Sequence, residues 1–182
     1  ALRILNELKE INPDVKFLCE NTTMSKKWLD IFNRELGVMG IKMNSSLISA
    51  QNRERIYWTN IPNVQPPIDN NVKLTDLIPN AVSAGKRGRD TGKRTVDGKK
   101  VWDVMLTYRK DNKSNCLVTN PSRTNLIEVD GKLRTITPEE AEILQTIPKG
   151  YTNIKGISNA SRFKMIGNGW TIDMISHIFK CG

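Results

Sequence analysis

Apolar residues recur with a helical period near the N-terminus. Leucines and isoleucines stand three and four positions apart over residues 1–11, which predicts an amphipathic helix that stops before Pro13. Ser25 is a suitable cap for a second helix, and Gly37 stands where the C-terminus of a helix favours glycine. The apolar face of this second helix would consist of Trp28, Leu29, Ile31, Phe32 and Leu36. The pattern therefore predicts two helices in this part of the chain.

Two further helices are predicted near the C-terminus. Thr137 and Glu140 have the spacing of a capping box, and Pro138 occupies the first helical position between them. The apolar positions that follow are Ala141, Ile143, Leu144 and Ile147. The last helix would bury an apolar stripe made of Ile172, Ile175, Ile178 and Phe179. Both patterns are typical of helices packed on a core.

Short extended segments alternate with the first helices. Residues 15–19 are mostly apolar, which is typical of a buried strand in a parallel sheet. Residues 38–48 and 55–60 are rich in residues that favour strands. A rhythm of helix, strand, helix and strand with short connections predicts an α/β layered fold.

The character of the chain changes at Pro62. Further prolines follow and helical periodicity is weak, while residues 85–113 carry ten lysines and arginines against four aspartates. This stretch holds six of the nine net positive charges, and its glycines would let the backbone lie close to a polyanion. A solvated loop is the alternative. We therefore divide the chain into a β-rich basic module, 63–133, inserted between two pieces of one α/β domain, 1–62 and 134–182.

Length and composition limit the class of protein. The chain has 182 residues, of which 38% are hydrophobic and 26% charged, so it is globular rather than disordered, collagen-like or a disulfide-rich miniprotein. No apolar run approaches the roughly 20 residues of a membrane-spanning helix, so the chain is not expected to be a membrane protein. A net charge of +9 favours a polyanionic partner, although ribosomal and membrane-surface roles would also fit it. Three cysteines and one histidine lack the spacing of a zinc site, and we expect a cytoplasmic protein.

Three polar segments follow predicted elements and are candidates for chemistry. Glu20 comes directly after a predicted strand, where α/β sheets bind ligands, although a capping or ion-paired glutamate would also fit. Gln51, Arg53 and Arg55 would point to one side of an extended segment and suit a phosphate or a base edge, or blunt an exposed sheet edge. Residues 167–170 would form a tight turn that lets the backbone approach a ligand or simply starts the last helix.

In this order the segments resemble the C-terminal half of DNA (cytosine-5) methyltransferases. Residues 20–22 resemble the Glu-Asn-Val motif (VI), with Thr22 in place of valine. Residues 51–55 match the Gln-x-Arg-x-Arg motif (VIII), residues 134–152 match motif IX, and residues 167–170 match motif X. Four ordered motifs cover nearly the whole chain. Trp170 and the run from Tyr151 to Asn153 are most similar to de novo methyltransferases and their phage relatives.

The resemblance implies roles for individual residues. Glu20 would hydrogen-bond the ring nitrogen and the amine of a flipped-out cytosine, while Arg53 and Arg55 would hold the base oxygen and the neighbouring backbone. The S-adenosylmethionine pocket would be bordered by Asn168, Gly169 and Trp170. A cysteine thiolate would attack carbon 6 of the cytosine, and carbon 5 would then accept the methyl group.

The resemblance also implies that the basic module is a target recognition domain for duplex DNA. Within it, residues 86–94 and 119–125 are expected to be loops in or beside the major groove, where arginine can read guanine. The expected DNA-binding residues are Gln51, Lys86, Arg87, Arg89, Lys93, Arg94, Ser122 and Arg123. The fold implied is part of a Rossmann-like S-adenosylmethionine-dependent methyltransferase domain with this module inserted.

Two motifs of the family are absent from the chain. It contains neither the Pro-Cys dipeptide that carries the nucleophile nor the Phe-x-Gly-x-Gly cofactor loop. We therefore expect a truncated piece that has no methyltransferase activity alone and self-associates through exposed apolar surface. Activity would need the N-terminal half of the enzyme. We expect that enzyme to be bacterial or phage-encoded, for example in a restriction-modification system. A target-recognition subunit of a split enzyme, a non-catalytic DNA-binding regulatory homologue, and cytosine methylation of RNA are the alternatives.

Overall fold

The computed structural model describes residues 2–95 and 97–182, with the side chain of Asp90 outside this description. The helices are α1 (Leu2–Ile11), α2 (Lys26–Leu36), α3 (Leu74–Leu77), α4 (Pro138–Leu144), α5 (Asn159–Asn168) and α6 (Ile172–Phe179). The strands are β1 (Leu18–Asn21), β2 (Ile41–Asn44), β3 (Glu54–Thr59), β4 (Ala81–Arg94), β5 (Lys100–Tyr108), β6 (Leu126–Val129) and β7 (Lys132–Thr135). The fold is mixed α/β, as the sequence predicts.

The first sheet has the strand order β1-β3-β2, and both pairings are antiparallel. The prediction of a parallel sheet at residues 15–19 is therefore wrong for the strand neighbours that the structure describes. The strand also starts later, at Leu18, and its residues are half-buried. Glu20 lies opposite Tyr57, so Arg55, two residues away on β3, is its diagonal neighbour on the same face. This register brings together two candidate residues that are far apart in the sequence.

The second sheet has the strand order β5-β4-β6-β7 and is antiparallel throughout. Residues 86–94, expected to be a loop, instead form most of β4, because they pair with the β-rich sequence of β5. The β6–β7 hairpin turns at Asp130 and Gly131, which both have positive φ angles. The basic segment is thus a long two-stranded ribbon that extends beyond the β6 pairing.

The largest core cluster does not respect the division into three segments. It combines Ala50 from the first segment, Leu74 and Ile127 from the basic module, and Leu144 and Ile166 from the C-terminal segment. The boundary at 133/134 also falls inside β7. The base of the basic module is therefore packed into the core that supports the C-terminal helices.

Most predicted helix ends agree with the structure. Thr137 and Glu140 form the predicted capping box of α4. Helix α2 begins after Ser25 without a side-chain cap bond and ends at Gly37, whose φ is 70°. In α6 the buried stripe contains Met174, Ile175 and Ile178, whereas Ile172 and Phe179 are exposed, contrary to the prediction.

Candidate functional site

The carboxylate of Glu20 is held from two sides. Its Oε1 lies 2.9 Å from Nε of Arg55. The Glu20 side chain is 15% exposed and the Arg55 side chain is 14% exposed. Its Oε2 accepts a hydrogen bond of 3.2 Å from the indole Nε1 of Trp170. Strand β1, strand β3 and the segment after α5 therefore meet at one carboxylate. The ion-paired arrangement that the sequence left open is present.

Arg53 lies behind this carboxylate and is only 4% exposed. Its guanidinium donates to the carbonyl oxygens of Leu117, at 3.3 Å, and of Gly169, at 2.9 Å, with a longer bond of 3.4 Å to that of Gly167. These donors are directed at the protein backbone, so Arg53 joins the segment after β5 to the end of α5. In contrast, Arg55 reaches the carboxylate itself.

Gln51 is fully buried and is the centre of an amide network. Its side chain donates to the side-chain oxygen of Gln145, at 2.9 Å, and accepts from the backbone N–H of Leu117, also at 2.9 Å. Gln145 in turn donates to the carbonyls of Ile166 and Gly169. The sequence predicts Gln51 at the DNA-binding surface. In the structure its polar groups are hydrogen-bonded inside the protein, so it supports the buried backbone and side chains behind the site.

Residues 167–170 do not form the isolated tight turn that the sequence predicts. Gly167 and Asn168 are the last residues of α5, and Gly169 has an extended conformation. A Cβ atom on Gly167 would lie 2.6 Å from the backbone carbonyl carbon of Val118. Glycine is therefore required here because the helix packs directly on the chain after β5. The Asn168 and Trp170 side chains are exposed at this end of the helix.

Two titratable groups beside Glu20 respond to its position. Burial and, to a smaller extent, the negative charge of Glu20 raise the pKa of Tyr57 to about 12, against the lowering effect of Arg53 and Arg55. Burial likewise raises the pKa of the Cys19 thiol, with the Glu20 charge acting in the same direction. Both groups therefore stay neutral at physiological pH, and Glu20 is held by hydrogen bonds and one cation.

The β4–β5 ribbon presents cations on two faces. Arg87 lies opposite Met105 and Arg89 opposite Asp103, so these residues share one face, while Lys86 lies on the other, opposite Leu106. Lys93 and Arg94 follow towards the end of β4. All five basic side chains are exposed. The structure thus brings the expected cationic residues onto one projecting element.

A surface cleft lies between the start of the ribbon and the segment after β5. It is lined by Asn52, Gly85, Lys86, Arg87, Arg109, Asn115, Cys116, Val118 and Thr124. The sulfur of Cys116 lies 3.5 Å from a guanidinium nitrogen of Arg53 and 3.6 Å from one of Arg55. One residue of the cleft lining, Cys116, therefore contacts the two arginines next to Glu20.

The loop at residues 119–125 flanks the same cleft. Ser122 and Arg123 are exposed, and the carbonyl of Arg123 accepts the backbone N–H of Lys86. Asn125 is buried; its side-chain oxygen accepts from Val118 N–H and its nitrogen donates to the carbonyl of Cys116. The loop is thus tied to the ribbon on one side and to the cleft on the other.

Sequence reasoning missed two residues of this arrangement. Gln145 organises the buried network, and its signal was an amide at the end of an otherwise apolar helical pattern. Cys116 contacts both arginines, but no spacing in the sequence indicates this, because it depends on how the segment after β5 packs on β3. Among the described residues no cluster of His, Cys, Asp and Glu could hold a metal ion. Within the same residues no helix is long and apolar enough to cross a membrane.

The fold and the site together define a mixed α/β protein with a clamped carboxylate and a basic cleft that is linked to it through the contact between Cys116 and Arg55. The family model for C-5 cytosine-specific DNA methylases matches residues 69–181, which is more than half of the chain. The chain therefore belongs to the C-5 cytosine-specific DNA methylase family. It is accordingly assigned to the DNA (cytosine-5) methyltransferases, which are enzymes that methylate cytosine.

A solved structure supports the fold independently. The chain is similar to a crystal structure of a triple mutant of DNMT2 from Spodoptera frugiperda, with a TM-score of 0.56 and 15% identity. The match covers 99% of this chain and 70% of that one. At this level of identity the likeness concerns the fold.

Proposed function

We propose that this chain supplies the base-binding carboxylate, one edge of the cofactor pocket and the DNA-recognition surface of an S-adenosylmethionine-dependent DNA (cytosine-5) methyltransferase that acts on a flipped cytosine in duplex DNA. The observation that carries the proposal is the Glu20 carboxylate, which is held by Arg55 and Trp170, while Cys116 of the basic cleft contacts Arg55. A carboxylate that served only as a surface ion pair would not need donors from two separate elements.

The geometry of Glu20 suits a cytosine. Each carboxylate oxygen has two lone pairs, and the protein occupies one on each oxygen. The remaining pair on one oxygen can accept the exocyclic amine of the base, and the other oxygen can accept the N–H of ring nitrogen 3 once this nitrogen, an acceptor in neutral cytosine, is protonated. Drawing charge from the ring in this way makes carbon 6 more susceptible to a thiolate. Arg55 lies beside Glu20 and can reach the base oxygen, whereas we propose that buried Arg53 and Gln51 are positioning residues.

The segment after α5 suits the adenosine end of the cofactor. Trp170 is 42% exposed and offers an aromatic face, Asn168 offers an exposed amide, and Gly169 adds no side chain between them. These three residues would hold S-adenosylmethionine, which when bound supplies the methyl group. The Trp170 ring also contacts Glu20, so it connects the proposed cofactor subsite with the proposed base subsite.

The basic ribbon is proposed to bind the duplex. A two-stranded β-ribbon fits the major groove, where arginine pairs bidentately with guanine. Arg87 and Arg89 share one face of the ribbon and Arg87 lines the cleft, so we propose that they face the bases or the phosphates nearest the target. The other cations of the surface are Lys86, Lys93, Arg94 and Arg123, with Ser122 beside them. Phosphate contacts would offset the few kcal/mol needed to flip a base.

The nucleophile is proposed to come from a segment outside these 182 residues. No cysteine of the chain follows a proline. Burial and the Glu20 charge raise the pKa of Cys19, which disfavours the reactive thiolate. An apolar groove formed by α1, β1 and the end of α2 is open to solvent, lined by Ile4, Leu5, Leu8, Phe17, Leu18, Cys19 and Leu36. We propose that the rest of the catalytic domain covers it.

Methyl transfer to cytosine-containing duplex DNA tests the proposal. The full-length protein is compared with its Glu20→Gln variant, with a matched Glu54→Gln control in the exposed Lys42 ion pair, and with the 182-residue chain alone. We expect activity in the full-length protein and the control, a loss of at least about 100-fold in Glu20→Gln, and none in the chain alone. An inactive full-length protein that still binds duplex DNA would indicate the regulatory homologue instead.

A further inference from the structure

Trp170 contacts Glu20 directly, although it belongs to the element proposed to border the cofactor. Its indole Nε1 lies 3.2 Å from Oε2 of Glu20, and the opposite oxygen is bound to Arg55. We infer that the Trp170 N–H is a positioning group that orients the Glu20 carboxylate towards the target cytosine. The inference rests on the proposed function and adds a role to Trp170 that is separate from any contact with the cofactor.

The need for such a group follows from the chemistry of glutamate. The terminal torsion of a glutamate side chain is broad, so the plane of the carboxylate is not fixed by its own rotamer. A donor on each oxygen fixes that plane. Arg55 alone would leave Oε2 of Glu20 free to rotate out of register with the exocyclic amine and the ring nitrogen of a cytosine. The indole N–H removes this freedom.

The backbone on either side of Trp170 is held by hydrogen bonds to buried side chains. The carbonyl of Gly169, directly before Trp170, accepts from Arg53 at 2.9 Å and from Gln145 at 3.1 Å. On the other side, Thr171 is buried and its hydroxyl donates to the side-chain oxygen of Gln145. Buried groups thus hold the backbone on both sides of a Trp170 side chain that is itself 42% exposed. This arrangement makes the donor rigid without burying its ring.

The first test removes the donor and keeps the ring. In Trp170→Phe we expect kcat for methyl transfer to fall about tenfold, the usual effect of losing one hydrogen bond to a charged group. The KM for S-adenosylmethionine should change less than about twofold because the aromatic face remains. Trp170→His, which keeps a ring N–H on a smaller ring, should recover part of the loss. Trp28→Phe on α2 is the matched control.

The second test asks whether Trp170 acts through Glu20. Glu20→Asp shortens the side chain by one methylene and withdraws the carboxylate from the indole. If Trp170 only positions Glu20, the single-turnover rate of the double variant, Glu20→Asp with Trp170→Phe, should equal that of Glu20→Asp. Two independent effects would multiply instead.

Four results would overturn the inference. They are an unchanged kcat in Trp170→Phe, a raised KM for S-adenosylmethionine as its only defect, multiplying effects in the double variant, and a His variant no faster than Phe. Thermal unfolding of each variant separates these results from a folding defect, which partial exposure of Trp170 makes small. If the unmodified full-length protein transfers no methyl group, the proposed function is wrong. If that protein is active and only the variants give the contrary results, the inference alone is wrong.

Discussion

Arg53 and Arg55 stand two positions apart and serve different purposes. Arg53 is 4% exposed and donates to three backbone carbonyls, whereas Arg55 forms an ion pair with Glu20 at the edge of the cleft. The difference arises from burial, because Arg53 comes directly before β3 and is enclosed by the protein, whereas Arg55 lies within β3 beside Glu20. One arginine therefore stabilises the protein, and the other faces the proposed substrate.

Replacement of each arginine by alanine should separate the two roles. Arg53→Ala leaves the Leu117 and Gly167 carbonyls without this donor, so the free energy of unfolding should fall by about 3 kcal/mol, at roughly 1–3 kcal/mol for each unsatisfied group. Arg55→Ala should lower it by only about 1 kcal/mol while reducing methyl transfer more strongly. Urea denaturation measures the first effect. Equal losses of stability would contradict the assignment.

At the scale of elements, a buried ion pair joins α4, the following loop and α5. Glu142 of α4 accepts from the backbone N–H groups of Gly150 and Thr152 and is paired with Arg162 of α5 at 3.0 Å. Arg162 also contacts Glu139 at 2.6 Å. Burial raises the pKa of Glu142, but hydrogen bonds from Thr152, Gly150 and Arg162 outweigh it, so the pKa lies below its usual value.

This pKa shift makes a prediction about stability against pH. A carboxyl group whose pKa is lowered by folding adds stability above its unfolded pKa and loses it as the pH falls through the folded value. The free energy of unfolding should therefore fall as the pH drops below about 4.5, the ordinary value for glutamate. The Glu142→Gln variant should be less stable at neutral pH and depend less on pH. Parallel stability curves for the two proteins would contradict this.

The β4–β5 ribbon is the element that should carry DNA affinity. Replacing Arg87 and Arg89 with alanine should weaken duplex binding and reduce the slope of log affinity against log salt by up to about 2, roughly 0.9 for each phosphate contact. Lys26→Ala with Lys27→Ala on α2 removes the same charge elsewhere and is the control. Fluorescence anisotropy over a range of salt concentrations measures both. An unchanged slope would place the DNA-binding face elsewhere.

At the scale of the whole molecule, well-packed cores coexist with a wide apolar surface. The cluster that contains Ala50, Leu74, Leu144 and Ile166 joins all three segments of the chain. In contrast, α1 has no buried residue, and Ile4, Leu8 and Ile11 are 53%, 45% and 83% exposed. Exposed apolar patches of this kind are typical of surfaces that bind another protein segment.

The isolated chain should therefore self-associate. We expect a concentration-dependent increase in apparent mass on size-exclusion chromatography, because two molecules can cover the groove between α1 and β1 together. Replacing Ile4 and Leu8 with lysine should shift the chain towards the monomer. A clean monomer at high concentration with a cooperative, high melting transition would contradict the prediction.

The chain sequence by itself determined the local structure and the family. Capping and turn residues such as Thr137 and Gly37 act on their immediate neighbours, so the ends of α4 and α2 follow from short-range chemistry. The ordered motifs around Glu20, Arg55 and Trp170 were also visible, because each motif is continuous in the sequence.

Only the tertiary structure decided how deeply each of these side chains is buried and which residues it contacts. The period of two put Gln51, Arg53 and Arg55 on one side, but packing against α4 and the segment after β5 buried the first two and left the third beside Glu20. The link between Glu20 and Trp170 spans 150 positions, and it depends on how the end of α5 packs on Arg53 and on the chain after β5. Sequence periodicity describes which way a side chain points, whereas its burial and partners depend on long-range packing that no local pattern contains.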